Sequence, residues 1–322
     1  MTKSIDNTPN IKPQSKPLSD KNRYLTIYQN NATNQASRLN SKRNVKHTLT
    51  DTKVSFKDIS GYFNGSSFGV PEAQLFDYVV YRYASMSNHD NKLAVSFSMK
   101  DYMNDRGLKD RKSARKALIN GIGKLSSLRI EYGGGTNNKY DHSFGIINIF
   151  QDADYGNTKR GFATLTFSDK FHELITQGAM LMPYPPLLFK LNPKKDATSF
   201  YILRKLSENK RTNIRRPKRA NAVKIGSLLD YCPSLPKYDE VMKGNKNVDS
   251  RIIEPFFEAV EKLSSEIDYT FIDSKGKPFN YEEGIKYQDF IESSLVIKTW
   301  KNYPNDLLNQ LTSKRKKNKY KK

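Results

Sequence analysis

A chain of 322 residues with 36% hydrophobic content has room for two modest cores and tails, and its 55 Lys and Arg against 33 Asp and Glu leave a formal charge of +22. No apolar run reaches the ~20 residues of a bilayer-spanning helix, the opening Met1-Thr2-Lys3-Ser4-Ile5-Asp6 lacks the apolar stretch of a secretory signal, and the lone Cys232 permits neither an internal disulfide nor a cysteine-built zinc cluster, which fits the reducing cytoplasm. So cationic a chain attracts polyanions: nucleic acid is the leading expectation, because each neutralised phosphate releases counterions, and an anionic membrane surface or an acidic protein is the competitor.

Residues 1–52 are rich in Asn, Ser, Thr, Lys and Gln, with Pro9, Pro13 and Pro17, and read as a disordered segment. A first domain spans 53–182. Pro71 opens an amphipathic helix with apolar positions Leu75, Val79, Val80, Tyr83 and Met86. Leu93, Val95 and Phe97 alternate as a short strand, Ser98 is placed to cap a helix over 99–105, and Gly107 to end it. Leu108, Lys109 and Asp110 make a turn into a longer helix over 111–126. Residues 128–132 and 146–150 lie either side of Gly133, Gly134 and Gly135 and read as a β-hairpin. Helix, strand, helix, turn, helix and hairpin is the order of a winged helix.

A second domain, 183–302, is entered through Pro183, Pro185, Pro186 and Pro193 and repeats that order. Its first helix covers 197–209 with Phe200, Leu203 and Leu206 on one face, a strand 223–225, and a second helix 226–231. Pro233 and Pro236 close the turn before a third helix within 248–265, and strands at 267–272 and 295–300 follow around Ser274-Lys275-Gly276-Lys277. Pro255 inside the third helix requires either a kink or a helix that begins there. The tail, 303–322, ends in Lys314-Arg315-Lys316-Lys317-Asn318-Lys319-Tyr320-Lys321-Lys322 and repels itself until it meets an anionic surface.

Both third helices end on the same four residues, Lys124-Leu125-Ser126-Ser127 and Lys262-Leu263-Ser264-Ser265. In that register Leu118, Ile119, Ile122 and Leu125 fall on Phe256, Phe257, Val260 and Leu263, and both sets are spaced like the buried stripe of a helix. The expectation is one supersecondary unit used twice: an α+β protein of two tandem winged-helix domains with disordered basic or polar tails.

With Leu118 at the centre of the buried stripe, Lys112, Ser113, Lys116 and Asn120 lie opposite, flanked by Arg111 and Arg115, and no carboxylate follows Asp110 in that helix. Lys and Arg suit guanine edges or phosphates and Asn suits adenine, so these are DNA-contact candidates; a solvated basic face is the alternative. The second third helix differs. Its outer face carries Ser250, Arg251, Glu254, Glu258 and Glu261, so only the N-terminal end, reached through Asn245, Lys246 and Asn247, suits DNA. Wing candidates are Asn137, Asn138 and Lys139 in the first unit and Lys275 and Lys277 in the second, with plain solvation as the competing reading. Lys210, Arg211, Arg215, Arg216, Lys218 and Arg219 form a dense cluster suited to a backbone or minor-groove contact.

Chemical motifs are missing. Gly123-Lys124 and Gly276-Lys277 lack the Ser or Thr of a phosphate loop. A nicking enzyme needs paired histidines beside a nucleophilic Tyr, whereas His47, His89, His142 and His172 are far apart in sequence, which leaves the tyrosines as core or stacking groups. Asp152 and Asp154 read as caps of a turn. No catalytic, metal or cofactor site is expected, and no enzyme.

The stretch Ser98-Met99-Lys100-Asp101-Tyr102-Met103 through Arg106-Gly107-Leu108-Lys109-Asp110-Arg111-Lys112-Ser113-Ala114-Arg115, together with Arg251-Ile252-Ile253-Glu254-Pro255-Phe256, resembles the replication initiator proteins of plasmids and related mobile elements, over about 58–302. The resemblance implies tandem winged helices that bind direct repeats of double-stranded origin DNA as monomers, homodimers that repress their own gene, and recruitment of a host helicase, its loader or other replication proteins. The acidic second helix departs from a symmetric reader. A winged-helix transcriptional repressor is the runner-up, and a nicking rolling-circle initiator the third reading.

Overall fold

The computed structural model describes residues 25–29, 53–56, 59–64, 69–86, 89–133, 144–156, 161–178, 180–279, 285–301 and 303. Strands β1 (Leu25–Gln29), β2 (Lys53–Phe56) and β3 (Ile59–Asn64) precede helix α1 (Val70–Ala84). Then come β4 (Ala94–Ser98), α2 (Met99–Arg106), α3 (Arg111–Ser126), β5 (Arg129–Gly133), β6 (Phe144–Asn148), β7 (Phe150–Gly156) and β8 (Phe162–Phe167). Helix α4 (Asp169–Gly178), β9 (Met180–Tyr184) and α5 (Leu187–Lys190) lead into α6 (Ala197–Thr212), α7 (Pro217–Ala220), β10 (Ala222–Lys224), α8 (Ile225–Tyr231) and α9 (Tyr238–Lys243). A π-helical turn (Asp249–Ile253), α10 (Glu254–Glu261), β11 (Ile267–Ile272), β12 (Pro278–Phe279), α11 (Tyr287–Glu292) and β13 (Ser294–Trp300) follow among the described residues.

Two sheets share one topology. In β4–β8–β7 and in β10–β13–β11 the strand after the first helix pairs with the last strand of a wing, which pairs back onto the earlier one; β12 extends the second sheet. Each is a winged helix. The hairpin expected over 128–150 forms as β5–β6, with Ile130 opposite Ile147, but it joins β2 and β3 in a separate four-stranded sheet. The strand after the first Lys-Leu-Ser-Ser is therefore not the counterpart of β11; β7 is. Edge pairing decided this, because β3 offers β5 a free row of backbone groups from a part of the chain remote in sequence. Likewise Asp152 and Asp154 cap no turn. They stand exposed on β7 opposite Thr166 and Thr164, as alternate residues of a strand with one wet face do.

The segment expected to lack structure contributes β1, which runs antiparallel to β9 with Thr26 opposite Pro183 and with Ile27 buried. Pro183 thus sits in a strand. Residues 1–24 and 30–52, the tail from 304, and Asn137, Asn138 and Lys139 lie outside the described residues. No helix among the described residues is long and apolar enough to cross a membrane.

Local signals placed the short helices well. Ser98 accepts the amide of Asp101 at 3.0 Å, and Gly107 ends α2 in the left-handed region at φ 64°, where a Cβ would be strained. Pro255 takes the first turn of α10 behind the π-helical turn, which absorbs the backbone bond that a proline lacking N–H cannot make. Gly121 has a packing role: a Cβ there would meet Leu75 Cδ2 of α1 at 2.5 Å, whereas Gly123 faces open space.

Helix α1 is not amphipathic in its surroundings. It is buried almost all round, including Glu72, Gln74, Asp77 and Arg82, and each of these polar groups has a partner. Gln74 donates to the carbonyls of Leu188 and Leu191 at 3.0 and 2.9 Å and accepts from Arg106 at 2.6 Å, so the connection between the units is tied to α1 and α2. Asp77 pairs with Arg204 of α6, both almost wholly buried, and the Tyr184 ring lies 5.4 Å below the guanidinium. Nearby Asp77 holds the Arg204 guanidinium charged despite its burial. One continuous apolar core runs through both units around this pair.

The repeated lysines have matching partners. Lys124 contacts Glu72 at 2.6 Å and Lys262 contacts Asp196 at 2.7 Å. Each carboxylate stands at the start of the first helix of its unit, so each repeat ties the end of a third helix to the beginning of a first one.

Candidate nucleic-acid interface

Asp110 starts α3 by accepting the amides of Lys112 and Ser113 at 3.0 and 3.3 Å. The Ser113 hydroxyl and these amides hold its carboxyl below the usual carboxylate range, so it stays charged at the positive end of the helix dipole. Ala114, Leu118, Gly121, Ile122 and Leu125 are buried; Arg111, Lys112, Ser113, Arg115, Lys116 and Asn120 are exposed. Arg111, Lys112, Arg115, Lys116, Ile119 and Asn120 line one shallow open concavity. Ile119 was expected in the buried stripe and is instead 43% exposed, since no element among the described residues covers it.

The hairpin lying against α3 is β7–β8, not β5–β6. Tyr155 of β7 sits under Arg115, 5.5 Å from ring centroid to guanidinium, and steadies that side chain by a cation–π contact. Gly161, at φ 62°, closes the hairpin where any Cβ would strike the Tyr155 hydroxyl. Local sequence carried no sign of Tyr155, since its partner comes from another element.

In the second unit Asn245, Lys246, Asn247, Ser250 and Arg251 are exposed ahead of α10. The side-chain oxygens of Asn245 and Asn247 accept the amides of Asn247 and Ser250, and Lys246 takes a left-handed φ of 59°. Glu254, Glu258 and Glu261 are exposed along the helix, and Glu261 accepts the Tyr269 hydroxyl at 2.7 Å. Lys275 and Lys277 project from a tight turn whose amides converge on Asp273 at 2.9 and 2.7 Å.

The basic cluster divides. Arg215, Arg216, Lys218 and Arg219 are exposed, and Arg216, Lys218 and Arg219 line a shallow depression around Pro217. Asn209 pins this loop by donating to the carbonyls of Arg219 and Ala220 at 2.6 and 3.1 Å. Arg211 corrects the expectation: at 7% exposure it is packed inside, since α6 buries that face against the core. Half-buried Lys210 donates to Asn221 at 2.8 Å, and burial lowers its ammonium pKa.

Two histidines far apart in sequence meet in space. Tyr83 donates to the carbonyl of His89 and accepts from Nε2 of His172, both at 2.7 Å, and both rings stand edge-on to its own. Tyr83 is fully buried, so its hydroxyl is held inside the core.

Residues 26–179 match the family model described as initiator replication protein, WH1. Over these residues the chain is similar to the winged-helix domain of replication initiator proteins. The match covers the first winged helix, α3 and the β7–β8 hairpin included. No curated protein matches the chain. Among solved structures, a selenomethionine crystal form of domains 2 and 3 of RctB superposes with a TM-score of 0.43 at 12% identity, covering 83% of this chain and 98% of that one. A second structure of RctB domains 2–3 gives 0.40 at 15% identity over 80% and 92%.

Proposed function

We propose that this initiator binds double-stranded DNA in a sequence-specific way at direct repeats of a plasmid or mobile-element origin, helps to open adjacent AT-rich DNA and assembles a host helicase, its loader or other replication proteins there. The observation that carries the reading is α3: inside an initiator winged helix, its uncovered face offers four cations and one amide with no carboxylate after the cap. Cations at the edges suit phosphates, while Asn120 and the groove-facing cations suit base edges. The exposed part of the α7 cluster adds sequence-independent attraction. No chemical step is assigned to the protein, and Tyr83, sealed in the core with its two histidines, is no nucleophile for a strand of DNA.

Footprinting the full chain over DNA flanking its own gene tests this. Protection of direct repeats spaced at about one helical turn or its multiples is expected. Protection of a lone palindrome over the promoter would instead make the protein a repressor, and sedimentation of the complexes would show whether monomers or homodimers occupy the site.

A further inference from the structure

Ile119 is uncovered where its counterpart is not. Its place in the repeated stripe is that of Phe257, whose ring lies 4.6 Å from Phe271 and 5.7 Å from Phe290 of α11. In the first unit only residues 157–161 join β7 to β8, too short a link for a counterpart of α11. Ile119 therefore stands 43% exposed in the middle of α3. It serves neither the core nor the helix, because a β-branched side chain is a poorer helix former than the Lys, Arg and Leu around it. Arg115 and Lys116 precede it by one turn and Lys112 by two, so the four share a face, with Asn120 alongside. An apolar protein surface would desolvate the exposed Lys112 and Lys116 without offering them a partner of opposite charge. The major groove would not: phosphates and base edges receive the polar groups, and its apolar feature is the 5-methyl of thymine.

We propose that Ile119 packs on a thymine 5-methyl group in the major groove and is a specificity-determining residue of the DNA site. This rests on the DNA-binding reading above and adds a base identity to it.

The test uses the full chain and its footprinted site, with each thymine replaced in turn by uracil, which removes only the methyl group. The unaltered protein should lose about threefold to tenfold in affinity at one thymine, the worth of one or two buried carbons. Ile119→Ala should bind the natural site about that much more weakly and be indifferent to the same replacement, whereas Lys116→Ala should bind more weakly and keep the uracil effect. Indifference of the unaltered protein to every replacement, or a full uracil effect in Ile119→Ala, would overturn the assignment while leaving DNA binding intact. Absence of any footprint would overturn the reading beneath it. Altered self-association of Ile119→Ala at unchanged DNA affinity would make this face a protein contact and also overturn it. The uracil series in the unaltered protein needs no variant to fold.

Discussion

The two third helices share a frame and diverge in their surfaces. Each presents the same spacing of buried residues, carries Lys-Leu-Ser-Ser at or just past its C-terminus and is tied back to the first helix of its unit, by Lys124 to Glu72 and by Lys262 to Asp196. Yet α3 turns cations, an amide and Ile119 outward, while α10 turns out Glu254, Glu258 and Glu261, keeps Arg251 only at its approach, and has Phe257 packed against Phe271 and Phe290. A buried stripe is constrained by volume and by exclusion of water, so it persists when the unit is used again. The outward face answers only to its partner. A shared fold here does not entail a shared task.

The largest effect tests whether the units act as one body. Removing one member of the Asp77–Arg204 pair strands a buried charge, so Arg204→Leu should lose about 3–5 kcal/mol of stability in denaturant titrations. Asp77→Leu with Arg204→Met should recover most of it, because no charge is then left alone. Two separate transitions in the single variant would mean that this pair is what couples the units.

The next addresses the two surfaces. Lys116→Ala with Asn120→Ala should weaken specific binding about ten- to a hundredfold with the thermal midpoint unchanged. Glu254→Gln with Glu258→Gln should alter affinity by less than about threefold. Equal losses in the two variants would show that both helices read bases and would end the asymmetry.

The smallest compares the repeated lysines. Lys124→Ala should cost about 1–2 kcal/mol, since Glu72 is nearly buried, and Lys262→Ala under about 1 kcal/mol, since its pair is more exposed. Burial pushes the Asp196 carboxyl up, but Lys262 and the Asn192 amide outweigh it and hold it below the ordinary carboxylate value. A depressed folded value means that the Lys262 contribution is complete above about pH 4, the unfolded range, and fades as the pH falls through the folded value. The deficit of Lys262→Ala should accordingly be constant from pH 7 to about 5 and shrink in acid.

Much of the fold was legible because its signals are local. The cap at Ser98, the stop at Gly107, the turn through Asp110 into a carboxylate-free helix and the start of a helix at Pro255 each depend on a few neighbouring residues, and structure met those expectations. The exposure of Arg111, Lys112, Ser113, Arg115, Lys116 and Asn120 follows from helical period alone. Strand β8, with Ala163, Leu165 and Phe167 buried and paired to β4 and β7, was not expected from the sequence. Elsewhere local readings failed where a distant partner intervened: β5–β6 went to β3, Arg211 went inside, and the amphipathic α1 was enclosed on every side.

The sequence by itself determined the charge, the doubled helical stripe and the composition of each outward face, since these depend on residue type and on a helical period set by backbone geometry. Tertiary structure alone decided which hairpin lies against α3, that Tyr155 supports Arg115, that Asp77 meets Arg204, and that Phe257 is covered while Ile119 is not. Those contacts join elements remote along the chain, and free edges, volume and desolvation choose among the pairings that local periodicity leaves equivalent.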